Sequence, residues 1–105
     1  MKGEPGESIS SPKVTVSASQ LTVNESTTAS LLCSASGNPA SKVAWFRVNG
    51  TLPSNRTKVT EGLMQIKDVR LEDAGKYKCV ARNFLGRDED VASLVVQSKS
   101  HKFFL

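Results

Sequence analysis

The chain has 105 residues, 38% hydrophobic and 23% charged, which is the size and composition of one globular domain. Its net charge of +4 comes from a mixed surface without the dense basic and aromatic stripe of nucleic-acid binders. One histidine and two cysteines exclude a zinc site of the usual protein-only kind. Phosphate-loop and nucleophile-elbow motifs are missing, and no apolar run could span a bilayer. We therefore expect a non-enzyme without cofactor or metal that neither binds nucleic acid nor inserts into membranes.

The two ends of the chain differ in composition from its middle. Residues 1–12 are rich in Gly, Pro, Ser and Glu and predict a flexible leader. Residues 3–8 also match two Gly-X-Y triplets of the collagen repeat, so the end of a collagen-like stalk is an alternative interpretation. No apolar signal segment follows Met1, so a secreted protein would carry its signal elsewhere. Residues 98–105 predict a C-terminal tail or linker.

Period-two alternation of apolar and polar residues predicts seven or eight short strands between residues 13 and 97. Turn signals separate them, and Asn49-Gly50 predicts a hairpin because both residues tolerate positive φ. No segment keeps a helical period. Regularly spaced short strands predict an antiparallel β-sandwich. The strands are expected near residues 13–17, 21–23, 29–34, 43–48, 58–60, 63–69, 76–82 and 92–96.

Two cysteines, Cys33 and Cys79, lie too far apart to form a Cys-x-x-Cys redox motif. Each has inward parity on a different predicted strand, and the single tryptophan, Trp45, has inward parity on a third. A disulfide that bridges two sheets against an indole needs this arrangement, and closing such a loop contributes about 4 kcal/mol. Two buried reduced thiols in a cytosolic protein are the alternative.

The Asp-x-Gly-x-Tyr-x-Cys string at residues 73–79, preceded by Cys33, Trp45 and Leu63, resembles the signature of immunoglobulin domains. The Ala-x-Asn-x-x-Gly string at residues 81–86 is similar to that of the intermediate class, the I-set. The resemblance covers about residues 12–97. It implies an all-β immunoglobulin-like sandwich whose two sheets are bridged by a disulfide.

The resemblance also implies structural roles for the signature residues. Tyr77 would form the tyrosine corner, in which its hydroxyl bonds to upstream backbone. Gly75 would permit the tight turn before that strand. Asp73 would pair with a base, for which Arg56 and Lys58 are the candidates. These roles describe how the domain is built and not what it binds.

Three Asn-x-Ser/Thr sequons fall in predicted turns or loops, at Asn24, Asn49 and Asn55. Together with a disulfide they favour an extracellular protein, either secreted matrix or the ectodomain of a membrane protein. Asparagines that form turns beside a hydroxyl residue are the alternative at each site.

Outward positions on two strands that are neighbours in the immunoglobulin topology predict a partner-binding face. An apolar centre with a charged rim is typical of protein interfaces, and a solvated sheet face with scattered apolar residues is the alternative. The opposite sheet is less favoured because we expect the Asn24 sequon to flank it. The predicted face consists of Phe46, Val48, Lys76, Lys78, Val80 and Arg82.

An acidic run at residues 88–90 is expected on the strand that adjoins this face. It would make the region two-signed, which favours weak homophilic contact through complementary charges. The basic residues also suggest a glycosaminoglycan, and the acidic run argues against that ligand.

These observations predict a non-catalytic extracellular protein-interaction module for cell adhesion or matrix organisation. Genuine collagen triplets would make the parent similar to the colmedins, which join a collagen-like stalk to immunoglobulin domains. A receptor-ectodomain or growth-factor domain that recruits a ligand is one alternative. An intracellular structural domain of the sarcomere, similar to those of titin, is another, and the cysteine pair and sequons argue against it.

Overall fold

The computed structural model describes residues 8–99, and they form eight strands and one short 3₁₀ turn at Leu71–Asp73. Residues 1–7, which hold most of the collagen-like triplets, and tail residues 100–105 lie outside the described residues. The strands are β1 (Ser10–Val16), β2 (Gln20–Asn24), β3 (Ala29–Asn38), β4 (Lys42–Arg47), β5 (Thr57–Thr60), β6 (Leu63–Ile66), β7 (Gly75–Asn83) and β8 (Gly86–Gln97).

The strands form two four-stranded sheets, in the orders β1-β3-β6-β5 and β2-β8-β7-β4. The all-β immunoglobulin-like sandwich predicted from the sequence is confirmed. One pairing corrects the expectation of a wholly antiparallel sandwich, because β2 runs parallel to β8. After β1 the chain crosses to the second sheet at residues 17–19 without reversing direction. It therefore continues alongside β8 instead of turning back against a neighbour.

Strand β1 begins at Ser10, inside the segment expected to be a leader. Its entry is held by side-chain amides: Asn83 Nδ2 donates to the Ser10 carbonyl at 2.8 Å, and Asn38 Nδ2 donates to the Ser8 carbonyl at 2.7 Å. Pro12 is buried. The ordered sandwich thus starts before residue 13, the expected boundary.

The Asn49-Gly50 hairpin predicted from the sequence does not form. Strand β4 pairs with β7 and β5 pairs with β6, so residues 48–56 cross from one sheet to the other. Gly50 does adopt a positive φ of 112°, but within this crossing loop. Strand pairing thus overrides the local turn preference, because β4 and β5 pair with different partners in different sheets.

A disulfide between Cys33 on β3 and Cys79 on β7 joins the two sheets, with the Cα atoms 6.4 Å apart. Trp45 lies opposite Cys79 on β4 and is 5% exposed. Its indole Nε1 donates to the Gly62 carbonyl at 2.9 Å, which satisfies the one polar atom of the buried ring. Gly62 has a positive φ of 87°, and a Cβ there would collide with the Cys33 carbonyl oxygen.

Leu63 does not have the core position that the resemblance gives it. The register of β3 with β6 pairs Leu63 with Leu32, on the outward parity of both strands. The buried residues of β6 are Met64 and Ile66, which are 1% and 0% exposed. Because side chains alternate along a strand, Leu63 points away from the core that Met64 and Ile66 enter, and it is half-buried.

Replacing Cys33 and Cys79 together by alanine is expected to lower the free energy of unfolding by about 2–5 kcal/mol. The bridge restricts the unfolded chain and fills the centre of the core. Guanidinium denaturation followed by the fluorescence of Trp45 measures the loss. Ser34→Ala, at an exposed position on the same strand as Cys33, is the control and should unfold like the parent. Equal denaturation midpoints for the double variant and the parent would contradict this role of the bridge.

Candidate protein-interaction face

Asp73 is the buried charged residue of the described chain, at 1% exposure. Arg56 donates two hydrogen bonds to its carboxylate, at 2.8 and 2.9 Å, and the Arg70 backbone N–H donates a third at 2.8 Å. Burial acts to raise the pKa of Asp73, but these hydrogen bonds and the charge of Arg56 together lower it. Of the two bases considered from the sequence, the structure places Arg56 at this carboxylate, whereas Lys58 is exposed.

Tyr77 connects this ion pair to the centre of the sheet. Its hydroxyl donates to the Asp73 carbonyl at 2.6 Å, and burial raises the pKa of the phenol. Gly75, between them, adopts a φ of 142°, in the region that favours glycine. The guanidinium of Arg47 lies 5.5 Å from the centre of the Tyr77 ring. These side chains bind one another and the nearby backbone, so we assign them to stabilising the fold.

Replacing Asp73 by asparagine is expected to lower the free energy of unfolding by about 3–5 kcal/mol at pH 7, since it leaves the Arg56 charge without its partner. The lowered pKa makes the pair stabilising above the ordinary Asp pKa of about 3.9, and this contribution falls as the pH drops below that value. The difference in the free energy of unfolding between the parent and Asp73→Asn should therefore become smaller as the pH falls below about 4. Asp68→Asn, at a carboxylate 62% exposed, is the control. A difference in unfolding free energy that does not change with pH would contradict the stabilising role of the Asp73–Arg56 ion pair.

Outward side chains of β4, β7 and β8 form one continuous surface, called the outer face below. It mixes apolar and basic side chains: the middle strand, β7, presents Lys78, Val80 and Arg82, and Phe46 and Val91 lie on the strands to either side. Strand register arranges it in three cross-strand rows, which are Phe46–Lys78–Val91, Ala44–Val80–Glu89 and Lys42–Arg82–Arg87.

Large apolar side chains are exposed on the two strands of the outer face that flank β7. Phe46 is 47% exposed and Val91, in the same row, is 38% exposed. Val48 follows β4 and is 42% exposed, and its backbone N–H donates to the Lys76 carbonyl at 2.9 Å. Phe46 and Val91 lie on either side of Lys78 in this row, so apolar surface that water solvates poorly flanks a basic side chain.

Val80 was expected to be exposed on this face and is instead 7% exposed. It does point outward, but it lies on the inner strand β7 with a neighbour on each side, Ala44 and Glu89. Longer side chains, among them Phe46, Lys78 and Arg82, line the surface around it. Val80 thus forms the floor of an open groove of about 400 Å³.

The acidic run does not make the outer face two-signed, which corrects the expectation from the sequence. Asp88 and Asp90 share the inward parity of Ala92 on β8. Their carboxylates accept hydrogen bonds from the backbone N–H groups of Val14, at 2.7 Å, and Val16, at 3.3 Å. The bond from Val14 lowers the pKa of Asp88.

Glu89 is the acidic residue that reaches the outer face. It accepts a hydrogen bond from Arg87 at 2.6 Å and lies 4.0 Å from the Lys78 ammonium. Lys42 and Arg87 were not singled out in the sequence and belong to this face. The turn from Asn83 to Gly86 could have predicted the position of Arg87, because a hairpin there places Arg87 directly opposite Arg82.

All three sequon asparagines are exposed. Asn24 ends β2 and so belongs to the same sheet as the outer face, not to the opposite one as expected. It lies opposite Gln97, about 20 Å along β8 from the row of Phe46 and Val91. A glycan on Asn24 would therefore start well away from Phe46 and Val91. Asn49 and Asn55 lie in the crossing loop between the sheets.

Within residues 8–99, no helix is long and apolar enough to cross a membrane. The same residues hold no cluster of three His, Cys, Asp or Glu side chains that could bind a metal ion.

A family model described as immunoglobulin domain matches residues 11–83, most of the chain. The chain belongs to the immunoglobulin domain family. Contactin-5 of Rattus norvegicus is 33% identical to the domain over 82 residues, and human Roundabout homolog 1 is 36% identical over 84 residues. These matches cover 77% and 79% of the chain but only 8% and 5% of the two relatives.

Among solved structures, the domain is similar to the full ectodomain of mouse nectin-like molecule 4, with a TM-score of 0.79 and 29% identity. The match covers 91% of the chain and 33% of that ectodomain. The domain therefore corresponds to a single module within much longer proteins.

Proposed function

We propose that this immunoglobulin domain is a non-catalytic extracellular protein-interaction module for cell adhesion or matrix organisation, and that it binds through the outer face. The observation that carries the proposal is the exposure of Phe46 and Val91 on either side of the basic side chains of β7. Protein interfaces are enriched in aromatic residues and arginine, and large exposed apolar side chains mark such surfaces. The inward side chains pack in the core, so recognition falls to the outward ones.

Two features support an extracellular setting. The Cys33–Cys79 disulfide is stable in oxidising compartments and rare in the cytosol, which argues against the sarcomeric alternative. The exposure of Asn24, Asn49 and Asn55 leaves each sequon accessible to glycosylation. The similarity to an ectodomain of nectin-like molecule 4 agrees with this setting.

The charge of the outer face favours a different protein as partner over a second copy of the domain. The sequence favoured homophilic contact because Asp88 and Asp90 were expected to balance the basic residues of this face. In the structure both carboxylates point toward β1 instead. With Glu89 as its acidic residue, the face stays basic. Stacking two such faces would bring like charges together, whereas an acidic partner would complement them.

Phe46→Glu is expected to abolish binding of the domain to its partner while leaving the fold intact, because Phe46 is exposed and its loss opens no cavity. Clusters of the domain on a multivalent scaffold, applied to cells and to deposited matrix, measure the binding, and thermal unfolding checks the fold. Leu32→Glu is the matched control, since Leu32 is 44% exposed on the opposite sheet.

The assignment fails if Phe46→Glu binds as well as the parent. It also fails if Leu32→Glu loses binding and Phe46→Glu keeps it, because the opposite sheet would then carry recognition. Sedimentation of the parent tests the preference for a different partner. Self-association that Phe46→Glu removes would show that like copies bind through this face after all.

A further inference from the structure

We infer that one end of the outer face binds an acidic segment of a partner protein that carries an apolar side chain. The site combines the cationic row Lys42–Arg82–Arg87 with the adjacent groove floored by Val80. This inference rests on the proposed function, since it specifies the partner chemistry of the same face.

Three positive side chains stand side by side in the cationic row. Lys42 lies directly opposite Arg82, and Arg82 lies directly opposite Arg87, on three neighbouring strands. Like charges in directly opposed positions destabilise a sheet. The Arg87 side chain is paired with Glu89. The side chains of Arg82 and Lys42 are exposed and make no ion pair or hydrogen bond within residues 8–99. The free domain thus carries a local excess of positive charge that an acidic ligand would neutralise.

The groove next to the row gives the site an apolar component. Val80, at 7% exposure, and Ala44 form its floor, and Phe46 borders it with half of its surface exposed. The groove is open to solvent and has about 400 Å³, which is room for one or two side chains. An apolar side chain of a ligand would bury this surface while neighbouring carboxylates meet the cations.

The apolar floor favours a peptide over a sulfated glycan. A glycosaminoglycan presents sulfates and hydroxyls and gains little from contact with Val80 or Phe46. A peptide offers both carboxylates and an apolar residue within a few ångströms. Glu89 accepts a hydrogen bond from Arg87 in the free domain and would compete with any anionic ligand, peptide or glycan, at that end of the row. Arg82 and Lys42 are therefore the cations available to a ligand.

Fluorescence anisotropy at low ionic strength tests the site with the intact chain. The probes are a short labelled peptide of Asp and Glu around one Leu, the same peptide with Ser in place of Leu, and a heparin oligosaccharide. The Leu peptide should bind the parent, bind more weakly as salt is added, and bind more tightly than the Ser peptide. Arg82→Gln should weaken its binding about two- to fivefold, the effect of losing one exposed ion pair.

Lys58→Gln is the matched control, because it removes one exposed positive charge from the opposite sheet. It should bind the Leu peptide like the parent. Arg82→Gln should also unfold at the same temperature as the parent or higher, since it relieves the repulsion within the row. A lower unfolding temperature would show a structural role for Arg82 and overturn the inference.

Equal binding of the Leu peptide by Arg82→Gln and by the parent would overturn the inference. So would equal binding of the Leu and Ser peptides, or binding of heparin without binding of either peptide. If neither peptide binds but Phe46→Glu still abolishes cell or matrix binding, the proposed function stands and this inference alone fails. If the Leu peptide binds as predicted while Phe46→Glu keeps full cell or matrix binding, the groove stands and the proposed function fails.

Discussion

The disulfide between Cys33 and Cys79 is the constraint on which the rest of the structure depends. It joins β3 to β7 at the centre of the core, and Trp45 lies beside it on β4. Gly62 completes the arrangement because its carbonyl binds the indole N–H and its missing side chain lets the strands approach. With these contacts inside, alternate residues of β3, β4, β6 and β7 pack in the core. The residues between them point outward and are available for recognition.

Charge placement follows from the same alternation. On β8, parity turns Asp88 and Asp90 toward β1, where they accept its backbone N–H groups, and turns Arg87 and Glu89 outward. Asp88 and Asp90 thus help to join β8 to β1 of the other sheet, and Arg87 adds to the basic residues of the outer face. Asp73 is neutralised internally by Arg56 and adds nothing to the surface. The net effect is a stable frame with a basic and partly apolar outer face.

Much of this was predictable from the sequence, because period-two patterning and the parity of Cys33 and Cys79 are read directly from the residues. Errors arose where tertiary context decides between locally similar outcomes. The turn at residues 49–50 has hairpin chemistry, yet its strands belong to different sheets. Val80 has outward parity, but it is buried on an inner strand between Ala44 and Glu89, and that placement follows from the strand order. Leu63 and Met64 are both apolar, so only the register with β3 decides which one is buried.

Methyl NMR of the intact chain during titration with the Leu-containing acidic peptide tests the central claim most directly, because it locates the binding surface without any substitution. The account predicts that the methyl signals of Ala44, Val80 and Val91 shift together and saturate with one affinity. Signals of Leu32 and Val59, exposed on the opposite sheet, should stay in place. Shifts confined to Leu32 and Val59 would contradict the claim that the outer face is the binding surface.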